Sequence, residues 1–468
     1  MKRNLNQITT AAVLSLLLTG AAQAAPSLLT WASFTNTTDL SGLTGTLENT
    51  NAANLFGGVG SGIAWAGGNQ FVMAPDRGPN ASAWNSSLDN TTSYISRLHN
   101  VTLNLQQTTP NVFNLTPTLN STTLLYSSTA LNYGATSTIV GNKNFFNGRS
   151  DNFASGSSSL NSNNARFDPE AVRISADGRY AYVSDEYGPY VYQFDRATGE
   201  RTKAFALPSN LGVTNLSSVG NTEINGNTTG RIANKGMEGL AISPDGSTLY
   251  GFMQSPLEQD SISGKPGDGP FNRIIKIDIE SGNTHQFAYN NVVGTNKSQN
   301  SSEILAINAN EFLVLERDGK GLGDGSSAAY KKLIKIDLTG ATDVSNLSGT
   351  NALAPHAVNG TLFLDIFAGL TNAGFAATNI PAKLEGLAWG EDVMINGTNT
   401  HTLYLVNDND FVPNVAGSDM IFVFGVTAAD LNGSTFVQQA VPEPSTWALL
   451  GMSAVAGLIL IRSRKQQS

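Results

Sequence analysis

Short hydrophobic runs alternate with polar turns between residues 166 and 195, and this pattern is typical of an antiparallel β-meander. The runs predict three strands, at residues 170–174, 180–183 and 190–194. Asp177-Gly178 is a hairpin signal between the first two strands. Three strands of this length cannot bury a face by themselves, so the unit is expected to recur along the chain.

The same order of strand, turn, strand and strand is found four more times. These further units begin near residues 61, 236, 303 and 385. Repeated small antiparallel sheets that bury their faces against one another indicate a β-propeller. We therefore predict an all-β propeller with six blades, and five or seven blades are the alternatives.

The length of chain between the units bears on that count. Fourth strands are predicted at residues 202–207 and 284–288. The stretches 101–165 and 338–383 are each too long for one blade, so a further blade is expected in one of them. A strand at residues 28–34 is expected to complete a blade and close the ring.

The N-terminal segment carries an export signal. Lys2-Arg3 precedes the apolar run 11–18, and Ala22-Gln23-Ala24 has the small residues of a cleavage site. These features predict a signal peptide at residues 1–24 that signal peptidase removes. The propeller is then expected to occupy residues 25–435.

The C-terminal segment, residues 441–468, has three parts. Pro442-Glu443-Pro444 is followed by the uncharged apolar run 446–461 and then by a basic end. The apolar run predicts a transmembrane helix. The whole segment resembles the PEP-CTERM sorting signal, which implies handling by an exosortase. The expected location is the periplasm and cell envelope, or the extracellular space after sorting.

The composition argues against one class of partner and excludes several kinds of chemical site. The net charge of −9 argues against nucleic acid as a partner, because nucleic-acid binding depends on Lys and Arg. The chain has no cysteine, which excludes disulfides, thiolate metal sites and cysteine nucleophiles. Its four histidines share no motif. Charged residues make up only 13% of the chain, so polar turns carry much of the surface.

Acidic residues recur at two positions of the unit, the start of the first strand and the end of the second. Antiparallel neighbours bring both positions to one face of a propeller, near the central channel. The predicted metal ligands are Asp76, Glu170, Asp185, Glu186, Glu238, Glu303, Glu316, Asp318, Glu385, Asp408 and Asp410. Carboxylates without His or Cys favour Ca²⁺ or Mg²⁺ over Zn²⁺, so Ca²⁺ is the expected cofactor. In the alternative interpretation, the acids cap backbone amides or pair with arginines.

Basic residues share the same loops and strands. The predicted substrate-binding residues are Arg77, Arg173, Lys235, Arg317 and Lys383. Arg binds phosphate bidentately, whereas Lys acts as a point charge. Carboxylates with bound cations, next to such basic groups, suit a small phosphate ester as substrate.

Five longer motifs stand in a fixed order along the chain. They are Ala-Pro-Asp-Arg-Gly-Pro-Asn at 74–80, Asp-Pro-Glu-Ala-Val at 168–172, Ser-Asp-Glu-Tyr-Gly-Pro at 184–189, Leu-Glu-Arg-Asp-Gly at 315–319 and Val-Asn-Asp-Asn-Asp-Phe at 406–411. With shorter matches they span about residues 55–425 and resemble the phytase-like domain family, "esterase-like activity of phytase". Ala171 stands where the family usually has glycine, and Glu303 is followed by Ile304 rather than glycine.

The resemblance implies a hydrolase of phosphate esters, in which the acids would be calcium ligands and the basic residues phosphate contacts. A metal-activated water would replace a side-chain nucleophile, so no catalytic side chain is predicted. One alternative is a non-catalytic, calcium-stabilised binding or extracellular-matrix protein that recognises a surface polymer. A further alternative is a carboxylic-ester or lactone hydrolase.

Overall fold

The computed structural model describes residues 25–81, 91–132, 138–149, 158–291 and 300–441. Strands dominate this part of the chain. In chain order they are β1 Ser27–Ser33, β2 Gly62–Trp65, β3 Gln70–Ala74, β4 Arg97–Thr109, β5 Val112–Leu124, β6 Tyr126–Ser127, β7 Thr138–Val140, β8 Lys143–Phe145, β9 Pro169–Ile174, β10 Tyr180–Asp185, β11 Val191–Asp195, β12 Arg201–Ala204, β13 Met237–Ile242, β14 Thr248–Met253, β15 Phe271–Asp278, β16 Thr284–Asn290, β17 Asn300–Ala306, β18 Glu311–Arg317, β19 Lys331–Asp337, β20 Thr361–Asp365, β21 Leu384–Trp389, β22 Val393–Ile395, β23 Thr398–Asn407 and β24 Met420–Val426.

Five antiparallel sheets form the blades of a propeller. Blade 1 is β2-β3-β4-β5, blade 2 is β9-β10-β11-β12, blade 3 is β13-β14-β15-β16 and blade 4 is β17-β18-β19-β20. Blade 5 is β21-β23-β24-β1, with β22 added to β23. The five first strands contact one another in a closed cycle, from β2 through β9, β13, β17 and β21 back to β2. They therefore surround the central channel.

The hydrophobic core is divided among the interfaces between neighbouring blades, because each sheet buries both faces against the next sheets. Five clusters of buried apolar side chains lie at these five interfaces. Representative members are Val72 with Val183, Tyr182 with Leu249, Tyr250 with Phe312, Leu315 with Leu405, and Tyr404 with Phe71. The last interface joins blade 5 to blade 1 and completes the ring.

The N-terminal strand closes the ring, as the sequence predicts. β1 pairs antiparallel with β24 and becomes the outermost strand of blade 5. The predicted fourth strands of blades 2 and 3 are also confirmed, as β12 and β16. Closure by the first strand ties residues at the two ends of the domain into one sheet, so neither end of the ring is left as an open edge.

The all-β propeller is confirmed, but the described ring has five blades in place of six. The two long stretches do not add a blade to the cycle. Residues 101–165 supply the long fourth strand β5 and a small sheet, β6-β8-β7, which lies outside blade 2. Residues 338–383 supply β20 and short helices. The described fourth strands are partly exposed, so their hydrophobic pattern is weak.

Helices are short in the described part of the chain. They are α1 Gly220–Gly226, α2 Thr350–Leu353, α3 Ile366–Asn372 and α4 Pro413–Ala416, with 3-10 turns at Ser209–Leu211, Glu258–Asp260, Ala354–His356 and Ala377–Asn379. Within the described ranges, none is long and apolar enough to cross a membrane. The predicted signal peptide at 1–24 and the predicted transmembrane helix at 446–461 lie outside the described residues.

Candidate metal centre and substrate pocket

The ends of the inner strands surround a pocket at one mouth of the central channel. This mouth, which we call the acidic mouth, holds a cavity of about 200 Å³. All five blades contribute to its lining, which consists of Asp76, Arg77, Glu170, Glu186, Asn234, Lys235, Glu238, Gln254, Asn300, Arg317, Lys383, Glu385 and Asp408. Ten of the predicted site residues are among them.

A β-bulge aims the first group of acids into the channel. In blade 3, Met237 pairs with Met253 and Gly239 pairs with Phe252, so Glu238 is the extra residue between them. Glu385 takes the same place in blade 5, between Leu384 and Gly386. A bulge turns its extra residue out of the regular alternation of side chains. The result is a carboxylate that points at the axis instead of packing between blades.

The second group comes from the ends of the second strands. Glu186, Gln254 and Asp408 each follow the last paired residue of their strand, and Arg317 ends β18 opposite Asn300. The Glu186 backbone packs closely against Gly236 of the next blade, and no side chain would fit at position 236. A Cβ on Gly236 would lie 2.0 Å from the carbonyl oxygen of Glu186, so only glycine fits.

Carboxylate oxygens converge in two clusters at this mouth. One cluster is Asp76, Asp408 and Asp410, and the other is Asp168, Glu170 and Glu186; within each, the oxygens lie within 4.8 Å of one another. These are hard oxygen donors, and neither cluster includes histidine. Such a set fits Ca²⁺ or Mg²⁺.

A basic side chain contacts each cluster. The Lys383 ammonium lies 2.9 Å from an Asp408 oxygen and also pairs with Asp410. The Arg77 guanidinium lies 2.9 Å from an Asp168 oxygen and 3.5 Å from a Glu186 oxygen. These pairs compensate part of the negative charge.

The acids nevertheless outnumber the bases. Among the described residues, eight carboxylates share the region with four basic side chains, Arg77, Lys235, Arg317 and Lys383. Arg317 pairs with Glu385, whereas Lys235 forms no ion pair with a described residue. Four negative charges would remain if every group were ionised, and each bound divalent cation would offset two of them.

The pKa values of the acids reflect this excess. Burial, followed by the nearby Glu238 carboxyl, raises the pKa of Glu170 well above its usual range. Burial also raises the pKa of Glu238, with neighbouring carboxylates adding to the effect. The pKa values of Glu186 and Asp408 rise to about 7, again chiefly through burial. Without a cation, several of these groups are therefore protonated near neutral pH.

Backbone strain accompanies the cluster that contains Asp410. Asp410 and Phe411 both have positive φ angles, 52° and 57°. The side chain of Asn409 accepts hydrogen bonds from the amides of Gly58 and Phe411 and so holds this loop. Strained backbone that its surroundings fix in place is frequent at functional sites.

Four predicted metal ligands are placed elsewhere because their side chains are used by the fold. Asp185 accepts hydrogen bonds from the amides of Asp168 and Gly188, at 2.7 and 2.6 Å. Glu316 accepts from the hydroxyls of Tyr289 and Tyr330.

The side chains of the other two predicted ligands, Asp318 and Glu303, are also used by the fold. Asp318 lies 3.0 Å from the Lys331 ammonium and accepts from two backbone amides. Glu303 lies 2.8 Å from Arg173 and accepts from the Leu240 amide at 2.9 Å.

Strand register explains why Glu303 differs from Glu238 and Glu385. In blade 4, Ser301 pairs with Glu316 and Glu303 pairs with Leu315, so the extra residue of the bulge is Ser302. Glu303 thus stands one position later, and its side chain points away from the acidic mouth. A shift of one residue reverses the face that a side chain occupies.

Arg173, a predicted substrate-binding residue, is also placed elsewhere. Its guanidinium donates to the carbonyl oxygens of Ile63 and Ile304, which belong to blades 1 and 4, at 2.8 and 3.1 Å. The side chain is only 2% exposed. Together with Glu303 it crosses the channel and ties four blades together.

Sequence reasoning missed four residues at the acidic mouth: Asp168, Asn234, Gln254 and Asn300. Asp168 had a signal, because it lies two residues before Glu170 and so shares its face under strand alternation. Gln254 follows the second strand of blade 3, where the other blades have charged residues. Asn234 and Asn300 had no comparable signal.

Comparisons with known proteins identify a family and a sorting motif. The sequence model of the family described as "Phytase-like: Esterase-like activity of phytase" matches residues 54–411. A PEP-CTERM protein-sorting motif matches residues 440–465. An "uncharacterized secreted protein" of Arthroderma benhamiae is 27% identical over 333 residues, which cover 59% of this chain and 64% of that protein. The match therefore spans just under two thirds of that relative's length.

The solved structures that match are more distant in sequence. The periplasmic gluconolactonase of Pseudomonas aeruginosa is 11% identical with a TM-score of 0.31, covering 84% of this chain and 98% of that chain. The hydrazine synthase of Kuenenia stuttgartiensis is 11% identical with a TM-score of 0.28, covering 77% and 80%. Similarity at this level carries no inference about activity.

Proposed function

The chain belongs to the family described as "esterase-like activity of phytase", and from this membership we propose that it is an exported, calcium-dependent hydrolase of phosphate esters. The observation that supports the proposal most directly is the pair of carboxylate clusters beside basic residues in one 200 Å³ cavity. The sorting motif and the secreted relative support export to the cell envelope or the extracellular space.

The excess of carboxylates at the acidic mouth suits a divalent cation, which would compensate their negative charge. Asp76, Asp408 and Asp410 would hold one ion, and Asp168, Glu170 and Glu186 offer a second set of oxygens. Calcium, when bound, polarises a phosphoryl oxygen and lowers the pKa of a water molecule. The pKa values of Glu170, Glu186 and Asp408 are raised, so these carboxyls would release protons as a cation binds.

Basic side chains would orient the phosphate group. Lys235 is the best candidate, because it lines the cavity and forms no ion pair with a described residue. Arg77 and Arg317 already contact carboxylates, so they would bridge those acids and the substrate.

The test compares hydrolysis of phytate and of an aryl phosphate by the purified protein, with calcium and with a chelator. We expect phosphate release only with calcium, and loss of release in Glu170→Gln. Glu280→Gln removes an exposed carboxylate in a turn and serves as the matched control. Calcium-independent turnover, or turnover that survives in Glu170→Gln, would contradict the proposal.

Two other results would identify the alternative functions. Cleavage of aryl acetates or lactones without phosphate release would indicate an ester or lactone hydrolase. A calcium-dependent rise in Tm without any hydrolysis would indicate a calcium-stabilised binding protein of the cell envelope. In both cases the carboxylate clusters would remain the calcium site, but the proposed reaction would be wrong.

A further inference from the structure

Residues 431–441, which we call the strap, run across the mouth of the channel opposite the acidic mouth. The ring is already closed before this segment, because β24 pairs with β1 and ends at Val426. The strap is therefore an addition to a complete propeller. It ends where the sorting motif begins, since that motif matches residues 440–465.

The strap is bound first to blade 4. The Lys335 ammonium donates to the Leu431 carbonyl oxygen at 3.0 Å and contacts the Ser434 hydroxyl at 2.8 Å. The Ser434 hydroxyl in turn donates to Glu311 at 2.6 Å. The Val437 amide donates to the Ile307 carbonyl oxygen at 2.9 Å.

An aromatic side chain then packs against blade 5. The Phe436 ring lies 4.8 Å from the Trp389 ring and 4.1 Å from the His401 ring, measured between centroids. Aromatic contacts at these separations contribute beyond the area they bury. Val437, the next residue, is 45% exposed. Phe436 therefore packs against blade 5, whereas the side chain of its neighbour Val437 is exposed to solvent.

The last residues of the strap reach the remaining blades. The Gln439 amide group donates to the Ile174 carbonyl oxygen of blade 2 at 2.6 Å. The Ala440 amide donates to the Pro244 carbonyl oxygen, just after β13 of blade 3, at 3.2 Å. Val441 packs on the apolar cluster between blades 1 and 2. A strap with contacts to all five blades leaves only a small cavity of about 30 Å³ beneath it.

We infer that the strap is a latch that presents the sorting motif on the face opposite the acidic mouth of the folded propeller. The sorting protease that recognises the motif would approach that opposite face. The acidic mouth then stays open to solute before and after the tail is processed. This inference does not depend on the reaction proposed for the pocket.

Hydrogen–deuterium exchange on the full chain tests whether the strap is latched. We expect the strap amides to exchange slowly, and Phe436→Ala to raise their exchange rate at least about tenfold through local opening. Val437→Ala is the matched control and should leave the rate unchanged. Fast exchange of the strap in the unsubstituted chain would overturn the inference, and so would equal rates in both variants.

Distance measurements test which face presents the motif. The chain has no cysteine, so pairs of spin labels can be placed without background. Ser445→Cys marks the motif, Ala309→Cys marks the opposite face after β17, and Ser327→Cys marks the loop after β18 on the acidic face. We expect Ser445 to lie nearer to Ala309 than to Ser327. Equal distances, or the reverse order, would refute the proposed face.

Discussion

The two mouths of the channel are built from the same five inner strands, yet they treat charge in opposite ways. At the acidic mouth, eight described carboxylates exceed four described basic groups, and burial beside other carboxylates raises the pKa values of Glu170 and Glu238. Towards the other mouth, Arg173 and Glu303 neutralise each other across the axis, and the strap covers what remains. The comparison separates acids whose charge is compensated within the fold from acids that remain available to bind a ligand.

Arg173→Met should give the largest loss of stability, because it leaves Glu303 buried and unpaired and removes donors to two other blades. We expect the free energy of unfolding to fall by about 3–5 kcal/mol, as for other broken buried ion pairs. Urea unfolding measures it. Arg179→Met, at an exposed ion pair, is the control and should change stability by less than about 1 kcal/mol. A similar small change for Arg173→Met would remove the distinction between the mouths.

Two glutamates at the starts of inner strands sharpen the contrast. Glu303→Gln should destabilise the protein but leave calcium binding intact, since Glu303 pairs with Arg173. Glu170→Gln should leave the metal-free stability unchanged or raised, because Glu170 has no described basic partner and faces other carboxyls. It should weaken calcium binding by at least about tenfold, as removal of groups around metal sites does. The reverse pattern in calorimetric titrations would contradict the assignment of both residues.

The pH dependence of stability follows from the raised pKa values. Burial raises the pKa of Glu186 from 4.5 and that of Asp408 from 3.8, each to about 7. The folded state then binds more protons than the unfolded chain, so stability falls as pH rises through this range.

We therefore expect the metal-free protein to lose about 1 kcal/mol or more of its free energy of unfolding between pH 5 and pH 8. Calcium should reduce or reverse this loss by stabilising the ionised carboxylates. Urea unfolding at both pH values, with chelator or with calcium, provides the measurement. A metal-free protein that becomes more stable at pH 8 would show that these acids are ionised and compensated in the folded state.

Lys235→Gln should have the smallest effect. Its side chain lines the cavity without an ion pair to a described residue, so stability should change by less than about 0.5 kcal/mol. If Lys235 positions phosphate, KM for a phosphate ester should rise while the calcium midpoint stays constant. An unchanged KM would indicate that Arg77 and Arg317, and not Lys235, bind the phosphate group.

The sequence predicted the propeller because the inner strands are strongly hydrophobic. The outer strands β1, β5 and β20 are partly exposed, so the two long stretches that contain β5 and β20 looked long enough for extra blades. The count of six blades followed from that weak signal.

On the inner strands, the sequence predicted the acidic residues of the site to within one position along the chain. Glu238 and Glu385 are the extra residues of bulges, but in blade 4 that place belongs to Ser302, and Glu303 faces the other way. A bulge leaves no mark in the spacing of hydrophobic residues. The role of Arg173 could not be predicted either, because its partners are carbonyl oxygens of other blades.

Isothermal titration calorimetry of the purified protein with calcium at pH 7, in two buffers of different ionisation enthalpy, tests the central claim most directly. The account predicts saturable binding with release of protons from the acidic mouth, and binding weakened by at least about tenfold in Glu170→Gln. Absence of calcium binding, or binding without proton release that persists in Glu170→Gln, would contradict it.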